Sequence, residues 1–243
     1  MNHYQIVPVG DQALEIVFAN EINPQVNQQI HHLGQLILNA QLPAVQTVVP
    51  AYHTLTVLFD GSRTSCDDLK PQLQPLVERA LQAKSLPSKT WLIPVCYGGE
   101  FGPDLAKLAD FAHVDEAQAI KLHTGRDYLI YFLGFLPGFA YMASVVDQIA
   151  MPRLAKPRLK IAARSVGIAG KQTGFYPVES PGGWEIIGRT PVTLYRPDHP
   201  QSFYAAGDKV RFVSINQDEY RQIRQADQAG TYQVKAVIND GND

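Results

Sequence analysis

Helical periodicity stops at Tyr128 and does not return until about Asp218. Between them, strand-like apolar runs alternate with turn signals at Pro137-Gly138, Pro181-Gly182-Gly183 and Gly207-Asp208. A chain punctuated this often has to fold back on itself every few residues, as antiparallel strands do, and residues 128–215 therefore read as an all-β barrel. The same stretch holds an uncharged run, Tyr128 to Val146, that is long enough to span a bilayer. Gly134, Pro137 and Gly138 at its centre, aromatics spread along it and no basic flank argue instead for two buried strands around a Pro-Gly turn, with no membrane partner.

The first ninety-odd residues follow a different pattern. Tyr4 to Val9 and Ala13 to Phe18 are strand-like and split by a turn-type cluster, Gly10-Asp11-Gln12. A helix follows, with Asn23 as its cap, Pro24 in its first turn, and Val26, Ile30, Leu33 and Ile37 along one face. Val45 to Val49 and Leu55 to Phe59 form a second strand pair. Leu69, Leu73, Leu76, Val77 and Leu81 have helical spacing, but Pro71 and Pro75 each remove an amide donor, so this helix either begins late or is kinked. Trp91 to Cys96 is the last strand. The order β-β-α-β-β-α-β resembles a ferredoxin-like unit with an added hairpin strand. Short helical patterns at Asp104 to Ala112 and Asp115 to His123, each opening on an Asp that can cap it, precede the barrel. The expected class is α+β, with an N-terminal α/β domain over residues 1–92 and a barrel domain over 93–243.

Composition narrows the function. The chain is 45% hydrophobic and 18% charged with a formal charge of −2, the profile of a globular protein without a nucleic-acid-binding face. Its opening run, Met-Asn-His-Tyr-Gln-Ile-Val-Pro, has no basic or apolar leader pattern, and Cys66 and Cys96 have neither metal nor disulfide spacing, so a reducing cytoplasm is expected. The average conceals an asymmetry. From Gln148 to Val178 there is no acidic residue, while Arg153, Lys156, Arg158, Lys160, Arg164 and Lys171 are all cationic. Such a stretch suits a small anion, or is simply a solvated loop.

Leu133-Gly-Phe-Leu-Pro-Gly-Phe-Ala-Tyr141 supplies three aromatics, Phe135, Phe139 and Tyr141, on a backbone loosened by Gly134 and Gly138. That is either the wall of a small-ligand pocket or plain barrel core. Ser180-Pro-Gly-Gly-Trp184 is either an ordinary hairpin or a nest of amides for an anion. No Walker loop, GxSxG, HExxH or SxxK sequence is present, and no biotin-attachment or metal site is read. His123, at a helix end, is either a dipole partner or an acid-base.

Taken together, Tyr97-Gly-Gly-Glu-Phe-Gly-Pro-Asp-Leu105, Gly134-Phe-Leu-Pro-Gly-Phe-Ala-Tyr141, Pro152-Arg with Pro157-Arg, Ser165-Val-Gly-Ile-Ala-Gly170, Gln172-Thr-Gly-Phe-Tyr-Pro177 and Ser180-Pro-Gly-Gly-Trp-Glu-Ile-Ile-Gly-Arg-Thr190 resemble the 5-oxoprolinase B-subunit family. That family is also called allophanate hydrolase subunit 1, and it includes Kip-type (KipI-like) kinase inhibitors. The resemblance implies a cyclophilin-like C-terminal barrel. It also implies a partner of the allophanate hydrolase subunit 2 type (the 5-oxoprolinase C-subunit), a third chain (the 5-oxoprolinase A-subunit), and ATP with Mg for opening 5-oxoproline to glutamate. On this footing Arg153, Arg158, Lys160 and the Gly182-Gly183 pair are the candidates to stabilise a transferred phosphoryl group, with Arg158, Lys160 and His123 as the catalytic candidates. Phe135, Phe139 and Tyr141 would wall the ring, and the motifs add Pro137, Gly138, Gln172, Tyr176, Trp184 and Arg189 as binding residues. Alternative roles are inhibition of a sensor histidine kinase and allophanate- or urea-related amide metabolism. One position departs from the family pattern: Ala162-Ala163-Arg164-Ser165 stands where Pro-Ala-Gly-Ser is usual, so Arg164 either adds a cation to the site or blocks it.

Overall fold

The computed structural model describes residues 4–82 and 88–239. Residues 1–3, part of the segment read for a leader, and 240–243, at the end of the expected second domain, lie outside the described residues. The chain divides into two units, one holding the described residues up to 82 and the other spanning Ser88–Asn239.

In the first unit, strands β1 (Gln5–Pro8) and β2 (Ala13–Val17) form a hairpin that leads into helix α1 (Pro24–Asn39). A second hairpin, β3 (Val45–Pro50) and β4 (Thr54–Phe59), leads into α2 (Cys66–Leu81). The sheet runs β1-β2-β4-β3, all antiparallel. Strand alternation sends Leu14, Ile16, Leu55, Val57 and Phe59 to the face covered by Ile30, Leu33, Ile37, Leu73 and Val77 of the helices. Asn23 caps α1, its side-chain oxygen accepting from the Gln25 and Val26 amides at 3.0 and 3.3 Å.

One alternative is excluded here and one expectation needs correction. Helix α2 does not begin late: the Ser65 hydroxyl accepts from the Asp68 amide at 3.2 Å and starts the helix at Cys66, with Pro71 and Pro75 inside it. The strand containing Trp91 to Cys96 is not the last strand of this sheet. In the ferredoxin-like arrangement the final strand would lie beside β2, and β1 already fills that edge. The strand goes to the barrel instead.

That strand, β5 (Ser88–Tyr97), opens the second unit, followed by α3 (Leu105–Ala112), α4 (Glu116–Thr124), β6 (Asp127–Leu133), β7 (Ala140–Ala143), β8 (Arg158–Ile161), β9 (Ser165–Ala169), β10 (Gln172–Phe175), β11 (Ser180–Gly182), β12 (Glu185–Arg189), β13 (Lys209–Ser214), α5 (Gln217–Gln228) and β14 (Ala236–Asn239). The large sheet runs β12-β9-β10-β7-β6-β13-β5, and β12 also pairs with β5 at Gly188↔Tyr97 and Arg189↔Cys96, which closes the barrel. Strand β14 pairs with the start of β5, and β8 with β11 forms a separate two-stranded ribbon. The uncharged run is β6, a loop and β7, paired antiparallel, and among the described residues no helix is long and apolar enough to cross a membrane.

His123 lies wholly inside this barrel, in ring contact with Tyr97, Tyr128 and Phe212. Its Nε2 lies 2.8 Å from the Thr173 hydroxyl, which itself donates to the Gly167 carbonyl at 3.0 Å. The Thr173 oxygen can therefore only accept from the ring. Nε2 carries the proton, and Nδ1 accepts from the Tyr97 hydroxyl at 2.8 Å. Burial lowers the His123 pKa to about 3, so the ring is neutral at pH 7. It is therefore neither a charged dipole partner nor, with no exposed atom, an acid-base able to reach a substrate.

This burial makes stability depend on pH. The folded pKa lies below that of the unfolded chain, so the neutral ring's contribution is complete above about pH 6.5 and declines as pH falls toward about 3. Urea unfolding at stepped pH should show wild type losing about 1.4 kcal/mol per pH unit across the middle of that window relative to His123→Gln, and parallel curves would refute it.

Candidate functional site

The loop joining β6 to β7 is tied by its own backbone, Gly134 N–H to Phe139 O at 3.1 Å and Phe139 N–H to Leu136 O at 2.9 Å. Phe135 takes φ +66° and Gly138 φ +77°. At Gly138 an added Cβ would lie 3.1 Å from the Ser202 hydroxyl and 3.3 Å from that of Tyr204, whose O–H donates to the Gly138 carbonyl. This turn sets Phe139 against Tyr141, Tyr176 and Trp184 at centroid distances of 4.8, 5.2 and 5.3 Å, with exposed Phe135 edge-on to it at 5.6 Å. Phe139 is thus the buried hub of an aromatic cluster.

One side of the cluster is open. Phe135, Phe139, Tyr141, Arg153, Pro157, Tyr176, Pro181, Gly182, Gly183 and Trp184 line a cavity of about 290 Å³, near the lower end of the usual range for small-molecule sites. Gly182 is required by packing: a Cβ there would lie 2.5 Å from the Tyr176 hydroxyl. The Leu154 amide donates to the Gly183 carbonyl at 2.8 Å and holds the Arg153–Pro157 segment beside the glycines. Burial pushes the Tyr176 phenol up to about 12, and that of Tyr141 upward, so both are neutral hydroxyls at pH 7. Walls that are aromatic, two phenols and one guanidinium suit a small ring bearing an anionic group.

The structure thus brings together Phe135, Phe139, Tyr141, Arg153, Tyr176, Gly182, Gly183 and Trp184. It adds Pro157 and Pro181, which stand in the quoted motifs but carry no signal of their own. Pro137, Gly138, Arg158, Lys160, His123, Gln172 and Arg189 do not line the cavity. The Gly182-Gly183 pair is not a hairpin turn: Ser180–Gly182 is a strand paired with β8 across a bulge.

The cationic stretch does not act as one patch. Arg158 donates to Asp104 at 2.6 Å and to the Trp184 carbonyl at 3.2 Å. Lys160 pairs with Glu179 at 3.0 Å and Lys171 with Asp147 at 3.0 Å, both exposed pairs worth little. Asp147 and Glu179 flank the acid-free window, so two of its six cations are paired from just outside its ends. Asp104, expected as a helix cap, makes no cap bond; its other oxygen accepts from the Ile186 amide at 2.6 Å. Asp115 does cap α4, accepting from the Gln118 amide at 2.7 Å.

Residues 4–205 match the family model for the carboxyltransferase domain, subdomain C and D. The chain belongs to that family. Among carboxyltransferase C/D relatives it is 38% identical over 233 residues to the B-subunit of 5-oxoprolinase from Bacillus subtilis, covering 91% of this chain and 97% of that one. It is 36% identical over 206 residues to the B-subunit of 5-oxoprolinase from Escherichia coli O157:H7, covering 84% and 93%. The solved urea amidolyase of Kluyveromyces lactis has the same fold at 18% identity and TM-score 0.80, over 98% of this chain and 16% of that one. The α+β reading holds, with a first unit that is ferredoxin-like except that β1, not β5, takes the edge beside β2, and with a barrel as the second. Among the described residues, no group of three or more His, Cys, Asp or Glu side chains is placed to hold a metal ion.

Two substitutions separate the roles of wall and anchor. Arg158→Ala leaves buried Asp104 without its cation and should cost about 2 to 3 kcal/mol in urea unfolding, the loss of a charge-assisted hydrogen bond to a partly exposed partner. Combining Arg158→Met with Asp104→Asn should recover most of that loss, and no recovery would mean that the ion pair is not what Arg158 supplies. Gly182→Ala should cost about 1 to 3 kcal/mol by overpacking Tyr176, and a crystal structure with the Tyr176 ring unmoved would contradict this.

Proposed function

We propose that this chain is the lactam-holding component of an ATP-dependent 5-oxoprolinase, working in the cytoplasm with a partner of the C-subunit type and a third chain of the A-subunit type. The observation that carries the reading is the aromatic cavity with Arg153 as its cation. The five-membered ring of 5-oxoproline suits the faces and edges of Phe139, Tyr141 and Trp184, and its carboxylate suits a guanidinium. The names of the relatives point to the same substrate. The phenols of Tyr141 and Tyr176, kept protonated, offer donors to a lactam carbonyl.

An amide carbonyl is a poor electrophile, and ATP supplies the activation by phosphorylating its oxygen. The cavity does not fit a nucleoside triphosphate: Arg153 is the single cation among its lining residues, no carboxylate is there for Mg, and Arg158 and Lys160 are held by Asp104 and Glu179. We therefore assign this chain the orienting of the ring and the exclusion of water from it, and place nucleotide contacts with the partner chains.

Titrating 5-oxoproline into the protein should change Trp184 fluorescence saturably, with Trp91→Phe as the background to isolate it. Arg153→Ala should weaken that binding about ten-fold, the loss expected of one charge-assisted hydrogen bond. Reconstitution with the two partner chains should release ADP only when 5-oxoproline is present. Absence of both the fluorescence change and ADP release would overturn the proposal.

A further inference from the structure

Arg164 has φ +71°, in the left-handed region that a side chain disfavours. Its backbone is fixed on both sides, its amide donating to the Tyr176 carbonyl and its own carbonyl accepting from the Thr190 amide at 3.0 Å. The side chain thereby leaves the aromatic cavity and reaches α5, donating to the Tyr220 hydroxyl at 3.3 Å. Arg189, the last residue of β12, comes to the same place, because its strand partner is Ser165, next to Arg164. Its guanidinium lies 6.0 Å from the Phe101 ring, which packs 4.6 Å from Tyr220. Arg224 follows Tyr220 by one helical turn on the same face of α5.

Three guanidiniums thus collect around α5 and the end of β12, and their compensation is incomplete. Asp227 accepts from Arg224 and from the Thr193 hydroxyl at 2.9 and 2.6 Å, with Arg196 at 4.0 Å. Among the described residues Arg164 and Arg189 have no ion pair, and the Nε of Arg189 is buried without a hydrogen-bond partner. Burial depresses the proton affinity of Arg164, as do the charges of Arg224 and Arg189, against opposing contributions from Tyr220 and Asp227. A cluster of this kind has the charge and the donors that suit an oxyanion.

We propose that Arg164, Arg189 and Arg224, with the Tyr220 hydroxyl, form a binding site for a phosphate-type oxyanion. A phosphate carries more charge on more oxygens than a monocarboxylate, so it suits several guanidiniums at once. The site is separate from the aromatic cavity. The two flank β12, Trp184 just before its start and Arg189 at its end, about 15 Å apart at the rise of an extended strand. The ligand is either free phosphate or the terminal phosphate of a larger molecule.

The test is thermal unfolding in potassium phosphate against potassium chloride of matched ionic strength. Wild type should gain about 3 °C at ten times the dissociation constant. Arg164→Gly and Arg164→Asn both suit a left-handed backbone, should fold as wild type does, and should lose most of that gain. AMP in place of phosphate separates the two sources: a larger gain assigns the site to a phosphomonoester, a smaller one to the free ion. No gain in wild type, an equal gain in the variants, or an equal gain from formate would overturn the site. None of these readings depends on 5-oxoproline, so the site and the lactam cavity stand or fall separately.

Discussion

The carboxylate of Asp104 ties together three parts of the second unit that are distant in sequence. One oxygen takes the Arg158 guanidinium and the other the Ile186 amide, both at 2.6 Å. Arg158 also holds the Trp184 carbonyl, so the start of α3, the β8–β11 ribbon and the entry to β12 are joined at one buried point. Trp184 and Gly182 can form a wall because the strand carrying them is fixed from behind. Without a cation, a carboxylate this enclosed would strongly favour rearrangement. Arg158 thus acts on the cavity through the wall and not by facing its contents.

The cavity was legible in the sequence to the extent that its parts are local. The Phe135–Tyr141 turn shows itself by Pro and Gly punctuation around aromatics, and Gly182-Gly183-Trp184 by the same rule. The remainder depends on pairings that no local pattern carries. Asp104 has the signature of a helix cap, and nothing near it shows that its acceptors face Arg158, 54 positions away. The acid-free window overstated the charge excess, because Asp147 and Glu179, just outside its ends, pair with two of its six cations. His123 reads as a helix-end histidine until the barrel closes around it. Arg164 stood out only as an odd residue in a motif, and its meaning came from the backbone angle at that position.

The fold shows the same division. The helices and hairpins of the first unit follow from cap residues and apolar spacing, apart from the start of α2, which its two prolines obscured. The fate of β5 does not follow from such rules, since an apolar β-branched run fits either sheet. Competition for an edge decides it. Strand β1 occupies the place beside β2, and β5 is free to pair with β13, β14 and β12.

That arrangement has a consequence for how the chain is made. Among the described residues the first unit has its core by Leu81, so it can fold once that much has been synthesised. Strand β5 emerges next, but the strands that flank it, β12 and β13, are among the last to appear. The barrel therefore cannot close until almost the full length is available, a topology of long-range contacts that folds slowly. During that interval Trp91–Tyr97 is an apolar strand with both edges unpaired, which makes it the segment most exposed to wrong pairing with other chains during synthesis.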